Sequence, residues 1–169
     1  MENLPRICGT YWNLRGKIIL DIDEVMEKKR AQSLDFKSVV QKHPMGCAIA
    51  CVAARCGLSY QKAISFFENK NHAWTRGYYC PEVVMALANA GYKYKYQLFD
   101  FERHFVELET PGTIAFTKPD QQYPAGHFFL KSRRWWMNPW SNYPLITPAK
   151  ASFQSELQGK VSYIIYEHY

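Results

Sequence analysis

The sequence predicts an α+β fold in which helices come first along the chain and an antiparallel sheet follows. Helical periodicity and helix-capping residues occur between residues 47 and 91, whereas short apolar runs separated by turns occur between residues 92 and 166. This segregation of helices and strands is typical of α+β domains. With 169 residues, 47% of them hydrophobic, the chain has enough apolar material for one core.

The central predicted element is a buried helix that begins at Cys47. Residues 48–54 are all small or apolar, and a helix that is apolar all round is typically buried. Gly57 follows as a left-handed C-terminal cap. Pro44 and Gly46 stand just before the run and place Cys47 in the first turn. Because the helix dipole is positive at that end, we expect the pKa of the Cys47 thiol to be lowered.

Four further helices are predicted from caps and periodicity. Ser59 is placed to cap the first of them. Pro81 suits the start of the second, which Gly91 ends. Asp100 caps the third, and Pro148 opens the fourth. The four predicted spans are residues 59–68, 81–91, 100–108 and 148–157.

The strands are predicted from alternating or continuous apolar runs between turn residues. The last run, Val161 to Tyr166, is apolar on both faces and therefore predicts a central strand. The predicted strands span residues 92–99, 113–116, 126–131, 134–138 and 161–166.

Residues 1–37 are predicted to form an N-terminal extension packed on a single domain of residues 38–169. Residues 18–20 within this extension are a short apolar run that predicts a strand. Residues 21–32 are rich in charge, with few apolar positions, and predict an exposed helix.

Charge and hydropathy limit the kinds of binding partner and the cellular location that the sequence predicts. The net charge of +6 is compatible with an acidic protein partner or inhibitor, but the basic residues are scattered, which disfavours nucleic acid. No apolar run reaches the roughly 18 residues that a membrane helix needs, so no membrane partner is expected. The N-terminal residues lack a signal-peptide core, which predicts a cytoplasmic protein, with secretion as an effector as the alternative.

The five cysteines are predicted to be free thiols, because Cys47, Cys51 and Cys56 lie on one helix and the total is odd. A zinc site that uses Cys47, Cys51 and His43 is the competing interpretation. No CxxC pair occurs in the sequence, which weighs against it.

A nucleophilic cysteine needs a base, and His127 is the predicted one. It begins an apolar strand directly after Gly126, whereas the other four histidines lie in loops, on a helix surface or near the C-terminus. If Ser132 and Arg133 form a two-residue turn, the return strand sets Asn138 directly opposite His127. Its amide oxygen would then accept from one ring nitrogen and leave the other for the thiol.

These residues resemble the papain-like cysteine peptidases, and most of all the bacteriocin-leader (double-glycine) peptidases. The resemblance covers residues 38–166. It rests on the six-residue interval from Gln41 to Cys47, on the Gly-His pair before an apolar strand, and on the return strand that ends at Asn138 and a proline. Two positions depart from the family, which commonly has aspartate where this chain has Gly46 and Asn138.

The resemblance implies a papain-like fold, in which a helical part with the buried cysteine helix packs on the C-terminal antiparallel sheet. It implies that Cys47 is the nucleophile, that His127 is the base and that Asn138 orients the base. Gln41 and the Cys47 N–H would hold the oxyanion. The implied activity is hydrolysis of peptide or isopeptide bonds in a polypeptide substrate, with no cofactor and no metal.

Two other functions remain open. The same acyl-transfer chemistry serves a deamidase or transamidase that acts as an effector or toxin. A catalytically inactive papain-like module would instead bind a peptide in the same groove. The three tryptophans of the return strand and its end are expected near the site, although core packing is the competing interpretation; they are Trp135, Trp136 and Trp140.

Overall fold

Helices lead into a six-stranded antiparallel sheet in the computed structural model of the protein, which describes residues 35–168. The α+β prediction is confirmed. The helices are α1 (Cys47–Arg55), α2 (Tyr60–Ala63), α3 (Cys80–Asn89) and α4 (Phe101–Glu109), with 3-10 turns at Ile64–Phe66 and Lys70–Ala73. Within residues 35–168, no helix has the length and apolar character that crossing a membrane requires.

One compact unit runs from Phe36 to Tyr169 and so begins two residues before the predicted boundary at residue 38. The predicted strand at residues 18–20 and the predicted helix at residues 21–32 lie outside the described residues. The same holds for nearly all of the predicted N-terminal extension.

The sheet places the last strand of the chain in its interior, as the sequence predicts. Its strand order is β1-β6-β2-β3-β4-β5, and all neighbouring strands are antiparallel. Ile164 and Ile165 of β6 are fully buried. The strands are β1 (Tyr94–Leu98), β2 (Ile114–Thr117), β3 (His127–Lys131), β4 (Trp136–Asn138), β5 (Ser152–Gln154) and β6 (Val161–Glu167).

Helix α1 is the buried helix that its apolar composition predicts. All residues from Ala48 to Ala54 are buried, and Gly57 has the left-handed φ of 64° expected of the cap. The helix contacts β3, α2 and α3. This packing brings the N-terminal end of α1 to the beginning of β3.

The predicted helix at residues 148–157 is wrong, because residues 152–154 form strand β5. β5 pairs with β4 through Trp136 with Gln154, and Asn138 with Ser152. Pro148 and the alanines that follow favour a helix locally, but β4 would otherwise present an unpaired edge of N–H and C=O groups. Pairing of the segment with that edge outweighs its local helix propensity.

The predicted turn at Ser132 and Arg133 is wrong by one residue. The Ser132 N–H donates to the Trp135 carbonyl at 2.8 Å, so the chain turns at Arg133 and Arg134. Leu130 therefore pairs with Met137, two residues beyond its predicted partner Trp135. Because the shift is an even number of residues, Asn138 stays on the face that carries His127. When the register is extended to the ends of the strands, His127 and Asn138 are diagonal neighbours, and their side chains can reach each other.

Candidate active site

Cys47 is the first residue of α1, and its half-buried thiol lies at the start of β3. The backbone N–H groups of Phe128, Ala48 and Cys47 itself favour the ionised sulfur and so act to lower its pKa. Phe128 directly follows His127. The Phe128 N–H is available because β4 pairs with β3 only further along, at Leu130 and Lys131.

The expected lowering of the thiol pKa is wrong. Burial raises the pKa of Cys47 to about 11, although the three N–H groups act in the opposite direction. Desolvation of a thiolate under the sheet outweighs the favourable end of the helix dipole. Burial also lowers the pKa of His127 to about 4, against the opposing influence of Asn138 and the Asp120 carboxylate. At neutral pH the two groups are therefore a thiol and a neutral imidazole.

His127 and Asn138 meet, and their hydrogen bonds fix the tautomer of the imidazole. The ring Nε2 lies 3.0 Å from Asn138 Oδ1, and both side chains are buried. Asn138 Oδ1 also accepts from the backbone N–H of Trp140 at 3.0 Å, which identifies this atom as the amide oxygen. Nε2 must therefore donate, so the proton is on Nε2 and the lone pair is on Nδ1.

The other end of the Asn138 amide is held by two residues that the sequence did not single out. Asn138 Nδ2 donates to Tyr123 Oη at 2.9 Å and to Gln154 Oε1 at 3.1 Å. Gln154 Nε2 donates to the Glu156 carbonyl at 2.6 Å, so the orientation of Gln154 is fixed as well. The sequence does not predict Gln154 as a site residue, because its segment is predicted as a helix and not as a strand. Tyr123 lies in a loop and carries no local signal.

Gln41 is buried, and its amide braces the loop that leads to Cys47. Its Nε2 donates to the carbonyl oxygens of His43 at 3.0 Å and Pro44 at 3.1 Å. Its Oε1 is buried without a hydrogen-bond partner among the described residues. Both contacts of the nitrogen are thus to protein carbonyls, so this amide supports the loop before Cys47.

Two glycines beside the site are fixed by their neighbours. A Cβ on Gly46 would overlap the Tyr60 hydroxyl. This hydroxyl is hydrogen-bonded to His43 Nδ1 at 2.9 Å. A Cβ on Gly126 would overlap Phe116, and its φ of 76° favours glycine in any case. Glycine at position 46 is therefore a packing requirement of this chain.

The three tryptophans lie in different environments. The Trp140 N–H holds Asn138, Trp136 is buried in a core cluster, and the Trp135 side chain is 49% exposed on the turn. Two other histidines have their own partners: His72 Nδ1 lies 2.8 Å from Glu82, and His104 Nδ1 accepts from the Asp100 N–H. The described residues contain no group of three or more histidine, cysteine or acidic side chains positioned for a metal ion.

An apolar cavity of about 280 Å³ is lined by Phe128, the residue that follows His127. The remaining lining residues are mostly aromatic; they are Tyr78, Tyr79, Cys80, Pro81, Tyr96, Phe116 and Tyr163. A volume of this size accommodates one large apolar side chain.

The sequence matches no model of a known protein family and no curated protein.

Proposed function

We propose that the protein is a thiol hydrolase with a papain-like fold that cleaves peptide or isopeptide bonds. The observation that carries the proposal is the His127–Asn138 pair. Its tautomer leaves Nδ1 as a free base, and the backbone N–H of the next residue, Phe128, favours the ionised form of the Cys47 sulfur. A nucleophile, a base and a group that orients the base are the parts that acyl transfer needs.

In the proposed reaction the resting pair is neutral, so proton transfer accompanies attack. The Cys47 sulfur bonds to the substrate carbonyl carbon while its proton moves to His127 Nδ1, and the carbonyl oxygen becomes an oxyanion. Collapse of this intermediate expels the amine, which takes the proton from Nδ1. A water molecule then gives a proton to the same nitrogen and attacks the thioester, which restores the thiol and releases the acid.

The oxyanion in this proposal is held first by the Cys47 N–H, at the N-terminal end of α1. Gln41 is the proposed second donor. Because its Nε2 already donates to the His43 and Pro44 carbonyls, it must release one of these bonds to serve a substrate. We therefore expect Gln41→Ala to lose less than the roughly hundredfold to thousandfold that removal of an oxyanion donor typically costs.

The apolar cavity lined by Phe128 favours a substrate with a large apolar side chain. Burying such a side chain contributes about 1.5–3 kcal/mol, which is enough to rank substrates by affinity. In a library of peptide amides, those with phenylalanine or leucine near the cleaved bond should therefore be preferred over those with aspartate or lysine.

Mass spectrometry of a treated peptide library tests the proposal. New chain termini that depend on both Cys47 and His127 support hydrolysis. Cys47→Ala and His127→Ala should abolish cleavage, whereas Cys56→Ala, a half-buried thiol at the other end of α1, should retain it. A gain of about one dalton on glutamine without cleavage would instead favour the deamidase chemistry. Cleavage that survives both substitutions contradicts the proposed site.

A catalytically inactive peptide-binding module is the second candidate, and two observations favour it. The pKa of the Cys47 thiol is raised, and both contacts of the Gln41 amide nitrogen are to protein carbonyls. This candidate predicts that His127→Ala changes no activity and leaves peptide binding intact. The hydrolase predicts that binding survives and turnover is lost.

A further inference from the structure

The loop before β3 carries one side chain that contacts both His127 and Asn138. The Tyr123 ring lies parallel to the imidazole, with ring centroids 4.0 Å apart and an interplanar angle of 8°. Phe129 meets the same imidazole edge-on at 4.8 Å. The imidazole is thus in contact with a parallel ring and with a perpendicular one, and both contacts restrain its orientation.

The Tyr123 hydroxyl acts on the second member of the pair. It accepts from Asn138 Nδ2 at 2.9 Å and donates to the Trp140 carbonyl at 2.9 Å. Trp140 in turn donates its N–H to Asn138 Oδ1. One side chain therefore constrains the plane of the imidazole and the orientation of the amide that bonds to it.

The backbone of Tyr123 is itself anchored. Its N–H donates to the Asp120 carboxylate at 2.6 Å, and its carbonyl accepts from the N–H groups of Asp120 and Gly126. The tyrosine is only 2% exposed. A side chain that merely filled the core would need neither the two hydroxyl bonds nor the parallel alignment with His127.

We propose that Tyr123 is a positioning residue, which keeps His127 in its Nε2–H tautomer and leaves Nδ1 unprotonated. This inference rests on the proposed function, because it assigns Tyr123 a role in that same site. Its two contacts act separately: the ring restrains the imidazole, and the hydroxyl restrains Asn138.

Two substitutions separate these contacts. Tyr123→Phe keeps the ring and removes the hydroxyl, so we expect turnover of a fluorogenic phenylalanyl peptide amide to fall about tenfold, as for one lost hydrogen bond. Tyr123→Leu also removes the stacked ring, and the misplaced base should cost about a hundredfold. In both variants kcat should fall and KM should stay unchanged, because ground-state binding is not altered.

The decisive measurement does not depend on activity. Long-range proton–nitrogen spectra of the full chain report which nitrogen of His127 carries the proton. We expect a single Nε2–H form in the native protein and a mixture of both tautomers in Tyr123→Leu. The matched control is Tyr143→Leu, because Tyr143 packs edge-on against the Tyr123 ring at 5.5 Å and belongs to the same apolar cluster. This control should keep the single tautomer.

The outcomes distinguish this inference from the proposed function. An unchanged His127 tautomer in both Tyr123 variants overturns the positioning role, even if the protein proves to be a hydrolase. A mixed tautomer that also appears in Tyr143→Leu overturns it too, since it then reflects loosened packing alone. If no peptide amide is turned over but the tautomer responds to Tyr123 only, the positioning role holds and the proposed function fails. Should Tyr123→Leu not fold, Tyr123→Met takes its place, because it also removes both the stacked ring and the hydroxyl.

Discussion

The protonation state of the resting site gives the sharpest prediction, because alkylation of Cys47 requires the thiolate. With its pKa raised to about 11 by burial, the thiol is ionised in only about one molecule in ten thousand at pH 7. Each unit of pH then increases the thiolate fraction about tenfold. Between pH 7 and pH 10 the rate of alkylation should therefore rise about a thousandfold without a plateau.

The assay is a time course with iodoacetamide at a series of pH values, with the adduct on the Cys47 peptide quantified by mass spectrometry. Glutathione in the same tube supplies the reference, since an ordinary thiol with a pKa of about 8.5 reaches its plateau near pH 9 to 10. Cys51, which is fully buried behind Cys47, reports any unfolding at high pH.

A thiolate–imidazolium pair would behave differently. It would give a rate that is nearly constant between pH 6 and pH 9, because the sulfur would already be ionised there. Such a plateau refutes the conclusion that desolvation outweighs the helix dipole at Cys47. His127→Ala provides the control. A neutral imidazole contributes no charge to the sulfur, so this variant should keep the steep profile.

Three further predictions concern stability and the support of the site. Gly46→Ala should lower the free energy of unfolding in urea by about 1–3 kcal/mol, because its Cβ meets the Tyr60 hydroxyl, and adding Tyr60→Phe should restore most of the loss. The pKa of His127 is lowered from 6.5 to about 4, so the unfolded chain binds the proton more readily than the folded protein does. About 3 kcal/mol of the free energy of unfolding, present above pH 6.5, should therefore be lost as the pH falls to 4. The variant His127→Gln should show a much weaker dependence of stability on pH. Gln154→Leu leaves Asn138 Nδ2 with one acceptor, and peptide turnover should fall about tenfold, whereas unchanged turnover would show that this bond is dispensable.

The parts of the fold that the sequence predicts correctly are those set by short-range chemistry. Ser59 caps α2 and Asp100 caps α4 through their side-chain oxygens, and the uniformly apolar segment after Cys47 is the buried helix. These features depend on residues within one or two turns. The sequence also predicts the pairing of His127 with Asn138, because the two residues stand at the outer ends of consecutive strands joined by a short turn.

Two of the wrong predictions, the helix at residues 148–157 and the lowered pKa of Cys47, depend on neighbours that are distant in the sequence. The edge of β4 recruits residues 152–154 into a strand, although their local signals favour a helix. The sheet over Cys47 removes the water that would have stabilised a thiolate, so the pKa rises where a helix end alone predicts a fall. No sequence pattern in the loop before β3 predicts that Tyr123 stacks on His127.

The neutral character of the site follows from the surroundings of Asn138. Its oxygen accepts from two donors, His127 Nε2 and the Trp140 N–H, while its nitrogen donates to Tyr123 Oη and Gln154 Oε1. An aspartate there would bring a second carboxylate oxygen against Gln154 Oε1, which the Glu156 carbonyl prevents from turning. A buried charge without a donor on that side costs more than the amide it replaces. Asparagine is therefore the residue this network can satisfy, and a site without a buried carboxylate has little to hold an imidazolium. In the proposed reaction the proton must then move during attack and not before it.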